Sequence, residues 1–260
     1  MSEDADILLV SDPRPGVRLL TLNRPSRRNA IATPLLVCLA EALDAAAVDA
    51  GVRCVIVSGG DRIFAAGADI GEMADRDGVG ALGDVRPGQW ARLRAFPKPL
   101  IAAVEGWCLG AGNELLMCCD LAVAGEGAHF GQPETNLGII PGAGGTATLP
   151  RLVGRAAAMK MVLLGEPIDA AEALTLGLVS HVVANGEANT VALEMAGRIA
   201  DRAPVAMRQA KSMVNATFDL PHTAHLAAER QAFSLLFSTA DKAEGVAAFL
   251  EKRPPLWTGR

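Results

Sequence analysis

Three short apolar runs constrain the fold of this chain more than any other feature: CVIVSGG at 54–60, PLIAAVEG at 99–106 and LAVAG at 121–125. Each is built of branched or small apolar residues and closed by glycine, which reads as a buried strand. Helix signals lie between them. Thr33 suits an N-cap, Pro34 the first helical position and Gly51 a stop. A shorter helix is expected around Gln89 to Phe96, ended by Pro97-Lys98-Pro99, and another opens at Gly110-Ala111-Gly112 into NELLMCCD. Strand–helix–strand units thus alternate over 50–140, which predicts an α/β core.

The flanks differ. Two strands, ILLV at 7–10 and VRLLTL at 17–22, are separated by a turn at Asp12-Pro13-Arg14-Pro15-Gly16. The polar, glycine-containing segment 72–89 reads as an irregular excursion. Alanine-rich stretches follow Gly144, broken at Pro167, Gly177, Pro204 and Pro221. SHVV at 180–183 is the one later strand expected, and 186–252 reads as helices only. The chain therefore divides into a core with the active site, residues 1–185, and a C-terminal helical region, residues 186–260.

Composition excludes several classes. The 260 residues are half apolar, enough for one large core, yet no apolar run approaches the length of a bilayer-spanning helix. The acidic start MSEDADILLV does not resemble a secretory signal, so a cytoplasmic protein with no membrane partner is expected. A formal charge of −5 leaves no electrostatic footprint for nucleic acid. The basic cluster Arg24, Arg27 and Arg28 is local. Cys38, Cys54, Cys108, Cys118 and Cys119 lack the two-residue gap of a zinc or redox site, and the four histidines lack ligand spacing, so no metal is expected.

Four segments hold residues suited to chemistry. FAAGADI at 64–70 is small enough for close backbone approach to a ligand, and equally readable as a plain turn. GWCLGAGNE at 106–114 leaves the amides of Gly110, Ala111 and Gly112 as unpaired first-turn donors, suited to an oxyanion. Glu114 follows them. By itself that carboxylate serves a helix N-terminus as well as it serves catalysis. FGQPETNLG at 130–138 carries Glu134, which alone reads as a loop residue. IIPGAGGT at 139–146 has neither the Lys-Ser/Thr ending of a P-loop nor a dinucleotide glycine order, so it reads as a tight turn capping a pocket.

Together these segments resemble the crotonase (enoyl-CoA hydratase/isomerase) family over residues 17–252. LNRPSRRNAI, FAAGADIGEM, KPLIAAVEGWCLGAGNELLMCCDLAVAGE, FGQPETNLGIIPGAGGT and the late GLV occur in the family's order and spacing. The stretches around RPGQWARLRAFPKP and FLEKRPP are similar to a bacterial branch that serves phenylacetate catabolism. The resemblance implies a crotonase-like (ClpP/crotonase) spiral of ββα units with a C-terminal helical trimerisation region, assembled as a homotrimer or hexamer. It implies hydration of a 2-enoyl-CoA with Glu114 and Glu134 as acid–base pair, and an oxyanion hole of the Ala66 and Ala111 amides. No cofactor is implied beyond the coenzyme A of the acyl-CoA substrate. The CoA and substrate contacts implied are Arg24, Arg27, Arg28, Ala65, Gly67, Ala68, Asp69, Ile70, Gly110, Pro141, Gly142, Phe233 and Lys252, the last two partly serving a neighbouring subunit in relatives. Ser26 stands where a lysine is common, with Arg27 and Arg28 adjacent to compensate. A dicarboxylic acyl chain would want a cation, and Arg86, Arg92 and Arg94 are the candidates.

Other readings are weaker. Isomerase relatives often lack one of the two glutamates. Glycosidases also use paired carboxylates, but they favour aromatic platforms, and this chain has no tyrosine. RNA binding is disfavoured by the acidic balance, and a catalytically dead subunit by the presence of both glutamates.

Overall fold

The computed structural model describes residues 6–74 and 77–260; residues 1–5 of the acidic start, and residues 75 and 76 of the 72–89 excursion, lie outside the described residues. The chain runs β1 (Leu8–Arg14), β2 (Gly16–Leu22), α1 (Thr33–Val48), β3 (Val52–Ser58), α2 (Gly78–Leu82), α3 (Arg86–Arg94), β4 (Leu100–Val104), β5 (Trp107–Leu109), α4 (Ala111–Leu116), β6 (Leu121–Gly125) and β7 (His129–Gly131). It continues through α5 (Gly145–Val153), α6 (Arg155–Leu164), β8 (Ile168–Asp169), α7 (Ala170–Leu176), β9 (His181–Val183), α8 (Ala188–Ala200), α9 (Pro204–Ala216), α10 (His222–Leu236) and α11 (Ala240–Glu251).

The three apolar runs become β3, β4 and β6, neighbours in a six-stranded sheet ordered β1-β2-β3-β4-β6-β9. All its pairs are parallel except the β1–β2 hairpin. Successive residues of a strand face opposite sides. Val55, Val57 and Ala102 join the core that includes α1, whereas Cys54, Ile56 and Ile101 lie in the cluster under α8. Burial on both faces is why these strands are continuously apolar rather than alternating. The helix α8 meets the sheet with Ala188, Ala192, Ala196 and Ala200, spaced four apart on one face. So the helices after residue 186 divide. The first covers the sheet, while α9 and α10 bury no residue.

A second, smaller sheet, β5-β7-β8, builds the spiral. After β4 the chain steps across to β5 and then α4; after β6 it steps to β7 and then the turn leading to α5. The extended segment after β3 does the same without forming a full strand, touching β5 through a parallel bridge from Ala65 to Cys108. Each pass is one ββα unit.

Some local expectations are corrected. The expected turn at 12–16 is shorter, because β1 continues through Pro13 to Arg14 with a register shift after Ser11. β1 is an edge strand, where a proline forfeits no ladder bond. Thr33 is the first residue of α1 rather than its cap, and its amide and hydroxyl donate to Glu72 at 2.9 and 2.7 Å. A carboxylate 39 residues away does the capping. The 72–89 stretch holds α2 and the start of α3 instead of irregular chain. β8, two residues long, joins β9 as a late strand; so short a run carries no period of its own.

Candidate active site

The small sheet sets the site. Ala65, Cys108 and Phe130 lie in one register row across three parallel segments. The residues just beyond that row therefore converge, with strands about 4.8 Å apart. From the first segment come Gly67 and Ala68, from the second Gly110 and Ala111, and from the third Glu134. All of them, with Glu114, line one cavity of about 310 Å³. Its remaining wall is largely apolar, including Leu36, Trp90 and Ile140.

Main-chain bonding decides which amides are available. The Ala66 amide donates to the Arg28 carbonyl at 3.0 Å, so the expectation of Ala66 as an oxyanion donor is corrected. Ala68 is different. Ile31 donates to Gly67 O at 2.8 Å and Asp69 donates to Ile31 O at 3.3 Å, so Ala68 is the unbonded member of that bridge. Its amide donates to no main-chain carbonyl among the described residues and, by the alternation of an extended chain, points away from Ile31. Ala111 opens α4, where a first-turn N–H has no helical acceptor. Two uncommitted amides thus flank the cavity. The sequence signal missed was the glycine between them: Gly67, at φ 118°, interrupts the alternation that would otherwise point the Ala66 and Ala68 amides the same way.

Glu114 is buried in α4, and its Oε1 accepts from the amides of Ala143 and Gly145 at 2.7 and 2.8 Å. It does serve a helix N-terminus, but that of α5 rather than its own. Oε2 accepts no hydrogen bond among the described residues. Burial raises the Glu114 pKa, while the two amides and the charge of Arg94 pull it down. Glu134 opens a short 3₁₀ turn, Glu134–Leu137. Burial is the main cause that pushes its pKa up to about 7, with the negative charge of Glu114 adding to it. Gln132, fully buried, faces this carboxyl; with its amide turned to donate, its nitrogen lies 3.0 and 3.2 Å from the two oxygens. Gly110, at φ 51°, is required here: a Cβ would sit 3.1 Å from Glu134 Oε1.

Other expected contacts are dispersed. Ile70 and Gly142 line the cavity, whereas Ala65 and Pro141 are buried behind it. Arg24 and Asp69 pair with each other at 3.1 Å, bracing the loop. Arg27 and Arg28 are exposed, with no side-chain partner among the described residues, and the Arg28 carbonyl docks them against the 64–70 turn. Phe233 is half exposed on α10 and Lys252 ends α11 at φ 56°; neither lines the cavity. Of the three arginine candidates, Arg86 lines it, paired with Asp84 at 2.5 Å. Arg92 turns away to Asp44 at 2.6 Å, and Arg94, eight residues and about 12 Å along the helix from Arg86, bonds the Ala143 carbonyl. Among the described residues, no cluster of His, Cys, Asp or Glu could hold a metal ion, and no helix is long and apolar enough to cross a membrane.

Known proteins are similar to this chain in sequence and fold over nearly its whole length. A family model described as enoyl-CoA hydratase/isomerase matches residues 13–260. The chain is 49% identical over 252 residues to the 2,3-dehydroadipyl-CoA hydratase of Escherichia coli strain K12, covering 97% of this chain and 99% of the relative. It is 44% identical to a probable mitochondrial enoyl-CoA hydratase of Dictyostelium discoideum, covering 93% and 87%. The crystal structure of an enoyl-CoA hydratase from Bacillus anthracis superposes with a TM-score of 0.93 at 36% identity, covering 98% and 100%.

Proposed function

The chain belongs to the enoyl-CoA hydratase/isomerase family, and from that premise we propose that Glu114 and Glu134 add water across the 2,3 double bond of a 2-enoyl-CoA. The enzyme is an enoyl-CoA hydratase, and its product is a 3-hydroxyacyl-CoA. The observation that carries the residue assignment is the single apolar cavity where two carboxyl groups meet two uncommitted amides. The amides of Ala68 and Ala111 receive the thioester oxygen as it gains charge; each such donor is worth roughly 10²–10³ in rate. Glu114, ionised and anchored through Oε1, takes a proton from water with Oε2 as the hydroxyl adds to C3. Glu134, holding its proton, delivers it to C2. The two carboxyls act as a coupled pair. No cofactor enters beyond the CoA carried by the substrate.

The nucleotide end of CoA fits the exposed cations Arg27 and Arg28 beside the 64–70 turn. Exposed apolar side chains on the C-terminal helices, among them Phe237 and Phe249, support a homotrimer or hexamer in which residues 186–260 contribute the interface. We assign the enzyme to the cytoplasm, a compartment that holds acyl-CoA substrates.

The test is spectroscopic. Crotonyl-CoA should lose its conjugated-thioester absorbance with uptake of water. A 3-enoyl-CoA that instead gains this absorbance, with crotonyl-CoA unchanged, would assign isomerisation. kcat/KM should fall about tenfold per pH unit above pH about 7, as Glu134 loses the proton it donates. A profile flat from pH 6 to 9 would remove Glu134 as the acid.

The acyl group we assign is one ending in a carboxylate, as in phenylacetate catabolism, rather than a long apolar chain of fatty-acid β-oxidation. Support comes from the E. coli relative's name and from the Arg86–Asp84 ion pair in the cavity wall. Asp84 engages Nε and Nη2 of Arg86, which orients the guanidinium. Arg86→Met should lower kcat/KM for 2,3-dehydroadipyl-CoA by roughly 10–100-fold, the worth of one charge-assisted hydrogen bond, and leave crotonyl-CoA within about twofold. Equal losses on both substrates would refute this acyl assignment.

A further inference from the structure

The loop that holds Glu114 is poorly supported by its own sequence. Gly142, Gly144 and Gly145 crowd into four residues, Gly144 sits at φ 112°, and nothing lies within 4 Å of where a Cβ on Gly142 would be. Yet this loop supplies both amides that anchor Glu114 Oε1. Its tie comes from another element. Arg94, at the C-terminal end of α3, donates from Nη1 to the Ala143 carbonyl at 2.8 Å. Ala143 in turn donates its amide to Glu114 at 2.7 Å. One residue of the loop thus connects the guanidinium to the carboxylate.

We propose that Arg94 is a positioning residue for Glu114, clamping the 142–145 loop through the Ala143 carbonyl and presenting its positive charge to the carboxylate. This rests on Glu114 acting as the base. The groups facing Glu114 make Arg94 the balancing charge. The 3₁₀ turn brings Glu134, which is repulsive. The turn just after α4 brings the Cys118 thiol, whose pKa burial pushes up to about 12, so it is neutral. The loop and α5 bring amide dipoles only. Arg94 favours the ionised form of Glu114 against the burial that opposes it. The side chain sits outside the cavity wall, so it acts without touching substrate.

The experiment compares Arg94→Gln, Arg94→Lys and Arg92→Gln in the full-length enzyme, with crotonyl-CoA over pH 5 to 9. Arg94→Gln should move the acid limb of kcat/KM upward by about half a unit or more and lower kcat about tenfold, with KM little changed. Arg94→Lys should restore the limb while recovering only part of kcat, because an ammonium retains the charge but not the fork. Arg92→Gln, whose partner Asp44 lies on another face, should match the parent. In a Glu114→Gln background, Arg94→Gln should add little further loss. A parental pH profile and kcat in Arg94→Gln, with Glu114→Gln still inactive, would overturn the role of Arg94 alone. Near-parental turnover in Glu114→Gln would instead overturn the base assignment on which it rests.

Discussion

Glu134→Gln is expected to lower turnover of crotonyl-CoA by about 10²–10⁴-fold, with Glu114→Gln falling in the same range, while CoA affinity stays nearly intact. The amide keeps the size of the carboxyl and most of its contacts, but it neither donates a proton to C2 nor accepts one from water. Folding gives an independent check on Glu134. Its pKa rises from an ordinary 4.5 to about 7, so between these values the folded chain binds more protons than the unfolded one. The stability this contributes is fully present below the unfolded value and is lost as pH rises through about 7. Glu134→Gln removes the buried charge, so above pH 7 its melting temperature should exceed that of the parent. An inactive variant that is also unfolded would say nothing about chemistry; an active, well-folded one would remove Glu134 from the mechanism.

Gly112→Ala is expected to cost about 10²-fold or more in kcat, although residue 112 does not line the cavity. A Cβ there would sit 2.5 Å from the Ala65 carbonyl oxygen and 2.7 Å from its Cβ. The oxygen belongs to backbone that already accepts from the Leu109 amide at 3.0 Å, so no flexible group can yield. The start of α4 must therefore move off the 64–68 segment. These two elements carry the Ala111 and Ala68 amides, and a displacement of about 1 Å is enough to lose a factor near 10². Overpacking should also lower stability by about 1–3 kcal/mol. Steady-state kinetics beside a denaturant titration checks both. A variant with parental kcat would mean that the two amides do not act as a pair across this contact.

Much of the fold was legible because its strongest signals are local. The strands β3, β4 and β6 are apolar on both faces, and helices between them carry their own stops. β7 and β8, of three and two residues, have too few positions to show a period and passed unread, whereas β9, equally short, showed only through the branched residues of SHVV. The cap of α1 escaped for another reason: Thr33 and Glu72 meet only after folding.

The site divides along the same line. Glu114 and Glu134 stood out only through the resemblance of their whole segments, and the glycine-rich turns through residue type, because side-chain type and the need for small residues are written at single positions. Availability of an amide is not. Ala66 and Ala68 carry the same side chain two residues apart, and only the pairing with Arg28 and Ile31 decides which N–H stays free. Likewise one helix holds Arg86, Arg92 and Arg94, and packing alone sends the first to the cavity, the second to Asp44 and the third to the loop behind Glu114. Residue identity determined what chemistry this protein can perform. Hydrogen-bond partners and distances, which exist only once remote segments are brought together, decided which groups are left free and which are tied down.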